Sequence, residues 1–169
     1  VVSFTDQWLN LKEIDFTSPD RTRFRTFDPI VQESMLAETR GYFREMLDKS
    51  LPIQQLISSD FSMLNERLAR FYLLDARKKY GPGVRRVSLG EDAAQRGGLV
   101  TQGAIMKVTA DGTITSPIVR GVWVSERLLG LEIPPPPPNI PAVEPDIRGA
   151  VSIRDQLDKH RNDQSCASC

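Results

Sequence analysis

Stretches of this chain in which apolar residues recur every three or four positions alternate with stretches broken by Pro, Gly, Ser and Asp. Phe4, Trp8 and Leu11 fall at i, i+4 and i+7, so positions 4–14 predict the end of an amphipathic helix, stopped by Ser18-Pro19-Asp20. Arg21 to Asp28 reads as a polar connector with Phe24 and Phe27 tucked inward. The strongest helical signal runs from Ile30 to Lys49. Val31, Met35, Tyr42 and Met46 share one face, widened by Leu36, Phe43 and Leu47. Glu33, Glu38, Arg40, Arg44, Glu45 and Asp48 fill the wet side. Ile53 to Ile57 predicts one short helical turn. A further helix is expected from a cap at Ser59 or Asp60 to about Leu74, with Phe61, Leu64, Leu68 and Phe71 as its buried stripe. Arg67, Arg70, Arg77, Lys78 and Lys79 gather toward its C-terminal end, where positive charge complements the helix dipole.

Gly81-Pro82-Gly83 then punctuates the chain and marks an expected boundary, with residues 1–83 as one domain and 84–169 as a second. Arg85 to Leu89 alternates weakly, as a short strand does. Gly97-Gly98 marks a tight backbone turn. Ala104 to Thr109 reads as a buried segment, joined by the Asp111-Gly112 turn to Thr113-Ile114-Thr115. Ser116 as N-cap and Pro117 at the first helical position open a helix that runs to Leu129 and stops at Gly130. Trp123 is its core anchor. Pro134 to Pro138 must form a stiff polyproline rod, and seven of the twelve prolines lie between 134 and 145. Residues 133–145 therefore read as a strap or linker, with docking onto an aromatic groove as the sharper alternative. Ser152 caps a last short helix, with Asp155 at the capping-box position. The fold class expected is mainly α. A helical N-terminal part leads to a small irregular or β-containing middle, then a capped helix, the proline rod and a short C-terminal helix.

Composition narrows the function classes. Lys+Arg and Asp+Glu are both 22, so the formal net charge is zero, which argues against an electrostatic nucleic-acid binder. No apolar run approaches the roughly 20 residues of a membrane span. No phosphate loop and no dinucleotide fingerprint occurs. A single histidine, with no plausible nucleophile to serve, argues against a Ser-His-Asp site, and no catalytic constellation is visible.

The chemistry concentrates at the end, in Cys166-Ala167-Ser168-Cys169, which holds the only two cysteines. At C-x-x-C spacing two thiols reach one metal, one partner sulfur or the two vinyl groups of a haem. His160, with Cys166 and Cys169, would make three ligands of a zinc site. Against that stands the ordinary role of a helix-end histidine, packing or meeting the helix carbonyls. Met35 and Met46 are open to haem ligation in principle, but methionines at helical spacing read first as core. A dithiol oxidoreductase is disfavoured, because its C-x-x-C opens a helix after a strand. The chain ends on Cys169 and starts on Val1 without Met, so it reads as a piece of a longer protein.

Five pieces stand in a fixed order. They are Arg96-Gly97-Gly98-Leu99-Val100-Thr101-Gln102, then Thr115-Ser116-Pro117-Ile118-Val119-Arg120-Gly121-Val122-Trp123-Val124, then Leu128-Leu129-Gly130 with the pentaproline, then Leu157-Asp158-Lys159-His160-Arg161, then Cys166 to Cys169. In this order, about Val87 to Cys169 resembles the planctomycete-type cytochrome-C-like domain of large secreted bacterial proteins. Residues 1 to about 80 resemble the uncharacterised helical domain that precedes it, through Phe27-Asp28, Met35-Leu36-Ala37-Glu38-Thr39 and Leu64-Asn65-Glu66-Arg67-Leu68-Ala69. The resemblance implies a c-type haem electron-transfer module in an exported parent protein. Cys166 and Cys169 would then be the haem attachment residues, and other domains of the parent chain the nearest partners. In the family a His follows the second Cys. Here the chain stops first, so haem is expected in the parent protein and not in this piece alone. The alternative is a structural or interaction module with a zinc-binding or disulfide C-x-x-C and a polyproline docking segment.

Overall fold

The computed structural model describes residues 1–74, 80–92, 96–134 and 152–162. The chain divides into two compact units, Val1–Ile133 and Pro134–Cys169.

The first unit is built around the long helix Pro29–Asp48. Asp28 caps it, accepting from the Val31 amide at 2.9 Å, and Pro29 occupies the first turn, where a missing N–H costs nothing. Its buried residues are Val31, Ser34, Met35, Glu38, Thr39, Tyr42 and Met46, a single stripe at three- and four-residue spacing. Glu38 was expected on the wet side. It lies instead in the stripe, only 1% exposed, because position 38 shares the face of Val31, Met35 and Tyr42.

The N-terminal segment is helical over Val2–Trp8. Asn10, in the left-handed conformation at φ 57°, ends it, and a 3-10 turn follows over Leu11–Asp15. One continuous helix over 4–14 is therefore not formed. The break lets Leu9, Leu11 and Ile14 all reach the core, which an unbroken helix does not allow at those spacings. Phe4, Trp8 and Phe43 cluster at centroid distances of 5.3–5.7 Å. Beside them Arg40 forks onto Asp6 with two contacts of 2.8 Å.

The helix expected from 59 to 74 is split. Phe61–Leu64 is a strand, and the helix begins only at Glu66 and runs to Phe71, capped by Asn65 through the Leu68 amide. The strand pairs antiparallel with Arg85–Ser88, Phe61 facing Ser88 and Leu64 facing Arg85. A partner strand some twenty residues downstream thus overrides a helical stripe. Phe61, Leu64 and Leu68 are buried all the same.

The buried 104–109 segment is a short helix, Gly103–Val108, followed by a single bridge between Ala110 and Thr115 around the Asp111 turn. The Pro117–Arg127 helix starts as expected, with Ser116 accepting from the Val119 amide and Pro117 at the first position. Two tryptophans tie it to the N-terminal segment. Trp123 Nε1 donates to the Leu9 carbonyl at 3.2 Å, and Trp8 Nε1 donates to the Arg127 carbonyl. Among the described residues the fold is mainly α with one two-stranded sheet.

In the second unit the described element is the helix Ile153–Asn162, where Ser152 and Asp155 exchange backbone-to-side-chain hydrogen bonds of 2.9 and 3.1 Å as a capping box. The expected rod over 134–138 lies outside the described residues except at Pro134. Among the described residues no helix is long and apolar enough to cross a membrane.

Candidate functional site

Of the candidates named from sequence, Cys166 and Cys169 lie outside the described residues, and His160 lies on the Ile153–Asn162 helix. Among the described residues no cluster of three His, Cys, Asp or Glu side chains is arranged to hold a metal. Met35 and Met46 are core residues, 4% and 7% exposed.

What four separate segments do bring together is a buried carboxylate. Glu38 Oε1 accepts from Ser62 Oγ at 2.7 Å, and Oε2 accepts from the Tyr72 hydroxyl at 2.5 Å. The Tyr72 oxygen in turn accepts from the Gly103 amide at 2.6 Å. The long helix supplies the acid, the first strand the serine, the turn after Phe71 the tyrosine, and the start of the Gly103–Val108 helix the amide. Gly103 is required here: a Cβ at that position would lie 2.6 Å from the Tyr72 hydroxyl and 2.7 Å from Met35 Cγ. Burial drives the Glu38 carboxyl up from its usual 4.5 to about 7, against the opposing pull of the Tyr72 and Ser62 hydrogen bonds and of Arg96. The Tyr72 hydroxyl is pushed well above its usual range, first by burial and then by the Glu38 charge.

Tyr72 is also one wall of a cleft of about 240 Å³. Phe24, Phe27, Met35, Phe71 and Met106 are among the apolar residues that line it. Phe27 and Phe71 meet edge to face at 6.2 Å. Among the described residues three cations complete the lining. The Arg96 guanidinium lies 4.1 Å from the centre of the Tyr72 ring. Lys107 donates to the carbonyls of Ile14 and Thr17 and stands 5.8 Å from the Phe27 ring centre. Arg120 is held by Thr109 Oγ1 at 3.2 Å and Thr115 Oγ1 at 2.8 Å. Burial lowers the Lys107 ammonium from its usual value, with Asp15 opposing, and lowers Arg120 as well.

Sequence reasoning missed Glu38 and the cleft. For Glu38 a signal was present, since 31, 35, 38 and 42 are one helical face. For the cleft there was none, because its walls come from residues 19 to 120 and meet only in the fold.

Two family models match this chain. Residues 1–74 match PSD4, a protein of unknown function (DUF1592). Residues 96–169 match PSCyt3, a protein of unknown function (DUF1588) whose short name marks it as cytochrome-like. The first covers the long helix, the first strand and Tyr72. The second covers Arg96, the Gly103–Val108 and Pro117–Arg127 helices and both cysteines. The two resemblances expected from sequence, over 1 to about 80 and about 87–169, are thus of the kind found. No curated protein and no solved structure matches the chain.

Proposed function

We propose that this chain belongs to a multidomain extracytoplasmic protein in which residues 84–169 are part of a c-type haem electron-transfer module and residues 1–83 part of the helical domain before it. One observation carries this reading. The match to a cytochrome-like family over 96–169 includes the only two cysteines of the chain, and they stand at C-x-x-C.

The donor set fits attachment. Cys166 and Cys169 are two thiols at the spacing of the haem vinyls, with no third cysteine to compete. They would hold the haem through two thioethers. Haem held there supplies one-electron redox chemistry, tuned by its axial ligand, burial and hydrogen bonding. The proximal ligand of a C-x-x-C-H site is the residue after the second cysteine, and Cys169 is the last of these 169 residues. His160, upstream of the pair, does not fill that position.

The test is to read the codon that follows Cys169 and to express the full encoded chain in a host that attaches haem. The reading expects a His codon and a haem-stained band that survives denaturing electrophoresis, lost in Cys166→Ala/Cys169→Ala. Any other codon, or no stained band, removes it. The pair then reads as a zinc or disulfide site beside a proline docking segment.

A further inference from the structure

The cleft between Phe27, Phe71 and Tyr72 has no place in a haem reading that rests on Cys166 and Cys169. Among the described residues its lining carries three cations, Arg96, Lys107 and Arg120, and no carboxylate. The acids in the loops next to it are occupied locally. Asp20 Oδ1 accepts from the Thr22 amide and hydroxyl and the Arg23 amide, and Asp111 Oδ1 accepts from the Thr113 amide and hydroxyl and the Ile114 amide. Glu38 acts on Arg96 from behind Tyr72, and Asp15 acts on Lys107, but neither lines the cleft.

We propose that this cleft binds a compact aromatic carboxylate, its ring against Phe27, Phe71 and Met106 and its carboxylate on Arg96 within the field of Lys107 and Arg120. Three features argue for that class. The wall is largely apolar and aromatic, so a ligand gains by burying a ring, and offset or edge-on ring contacts are available at Phe27 and Phe71. The volume of about 240 Å³ is below the roughly 300–1,000 Å³ of sites for drug-sized ligands, which limits the occupant to a small molecule. The positive groups are placed to meet an anion. The Arg96 guanidinium carbon lies over the Tyr72 ring, 4.1 Å from its centre, and the guanidinium offers a fork of N–H donors to a carboxylate. Lys107 commits two donors to carbonyls and has a third, and its partial burial removes water that an anion would replace. Tyr72 contributes its ring alone, because its hydroxyl is already engaged by Glu38 and Gly103.

The probe is 3-phenylpropionate, titrated into the 169-residue chain and followed by amide chemical shifts. Saturable shifts confined to residues that line the cleft are expected. The neutral 3-phenylpropanamide should bind about tenfold more weakly, a difference of about 1.4 kcal/mol, since it forfeits the charge-assisted contact. Arg96→Gln should bring the acid down to the affinity of the amide and leave the amide unchanged. Met106→Trp, which fills the cleft, should abolish both. Absence of saturable shifts, shifts that map elsewhere, or equal affinity for acid and amide overturns the proposal. The acid–amide comparison needs no variant, so it stands even if a substitution unfolds the chain.

Discussion

Glu38 is an acid enclosed by Ser62, Tyr72 and the packed face of the long helix, and its proton becomes part of the fold. Its carboxyl is raised from 4.5 to about 7, so between those values the folded chain holds a proton that the unfolded chain has released. Stability from this group is then fully present below 4.5 and is lost as pH rises through about 7. The shift corresponds to on the order of 3 kcal/mol. Urea unfolding across this range should show the wild-type chain losing stability with rising pH relative to Glu38→Gln, which cannot titrate. A flat difference between the two would contradict the burial argument. Tyr72→Phe should cost about 1–3 kcal/mol, because it leaves the Gly103 amide buried without its acceptor. The Arg-Gly-Gly segment also acquires a reason at this scale. Gly98 sits at φ +90°, and a Cβ there would lie 2.3 Å from the Ile57 carbonyl oxygen. Gly98→Ala combines a left-handed backbone with a clash against backbone, so a loss of at least about 1–3 kcal/mol in denaturant unfolding is expected.

Elements whose signals are local came out of the sequence nearly whole. The long helix was expected over 30–49 and spans Pro29–Asp48, because its stripe, its Asp28-Pro29 start and its polar flank agree. The Ser116-Pro117 and Ser152 starts are read correctly for the same reason: a cap is a contact within four residues. The strand Phe61–Leu64 was not legible, since four residues with apolar spacing fit a helix as well as a strand, and the Arg85–Ser88 partner alone decides between them. Asp28 bears on two elements at once, capping the long helix and pairing with Arg67 of the Glu66–Phe71 helix. Asp28→Ala should therefore destabilise by more than an ordinary cap loss of about 1 kcal/mol, whereas Asp28→Asn, which keeps the cap, should lose only the exposed ion-pair part. Thermal unfolding of the two variants side by side separates the contributions.

At the scale of the molecule, core and cleft belong to Val1–Ile133. The tryptophan exchange between Trp8 and Trp123 joins the beginning of that unit to its last helix. A chain cut after Ile133 should keep a single cooperative transition at the midpoint shown by the same signals in the full chain. Trp123→Ala should lower that midpoint strongly, because the loss of stability is the roughly 3–5 kcal/mol typical of a buried aromatic. Non-coincident transitions by circular dichroism and tryptophan fluorescence in the 1–133 chain would show that the unit is not self-sufficient.

The sequence by itself determined the mainly α class, the positions of the capped helices and the C-x-x-C pair. These are set by residues within a few positions of one another, and such neighbours meet in almost any fold. Tertiary structure decided that Phe61–Leu64 pairs as a strand, that Glu38 is buried and shares its hydrogen bonds with Ser62 and Tyr72, and that Arg96, Lys107 and Arg120 converge on one aromatic cleft. Those outcomes depend on groups tens of residues apart, whose meeting is chosen by which apolar faces bury one another and not by local spacing.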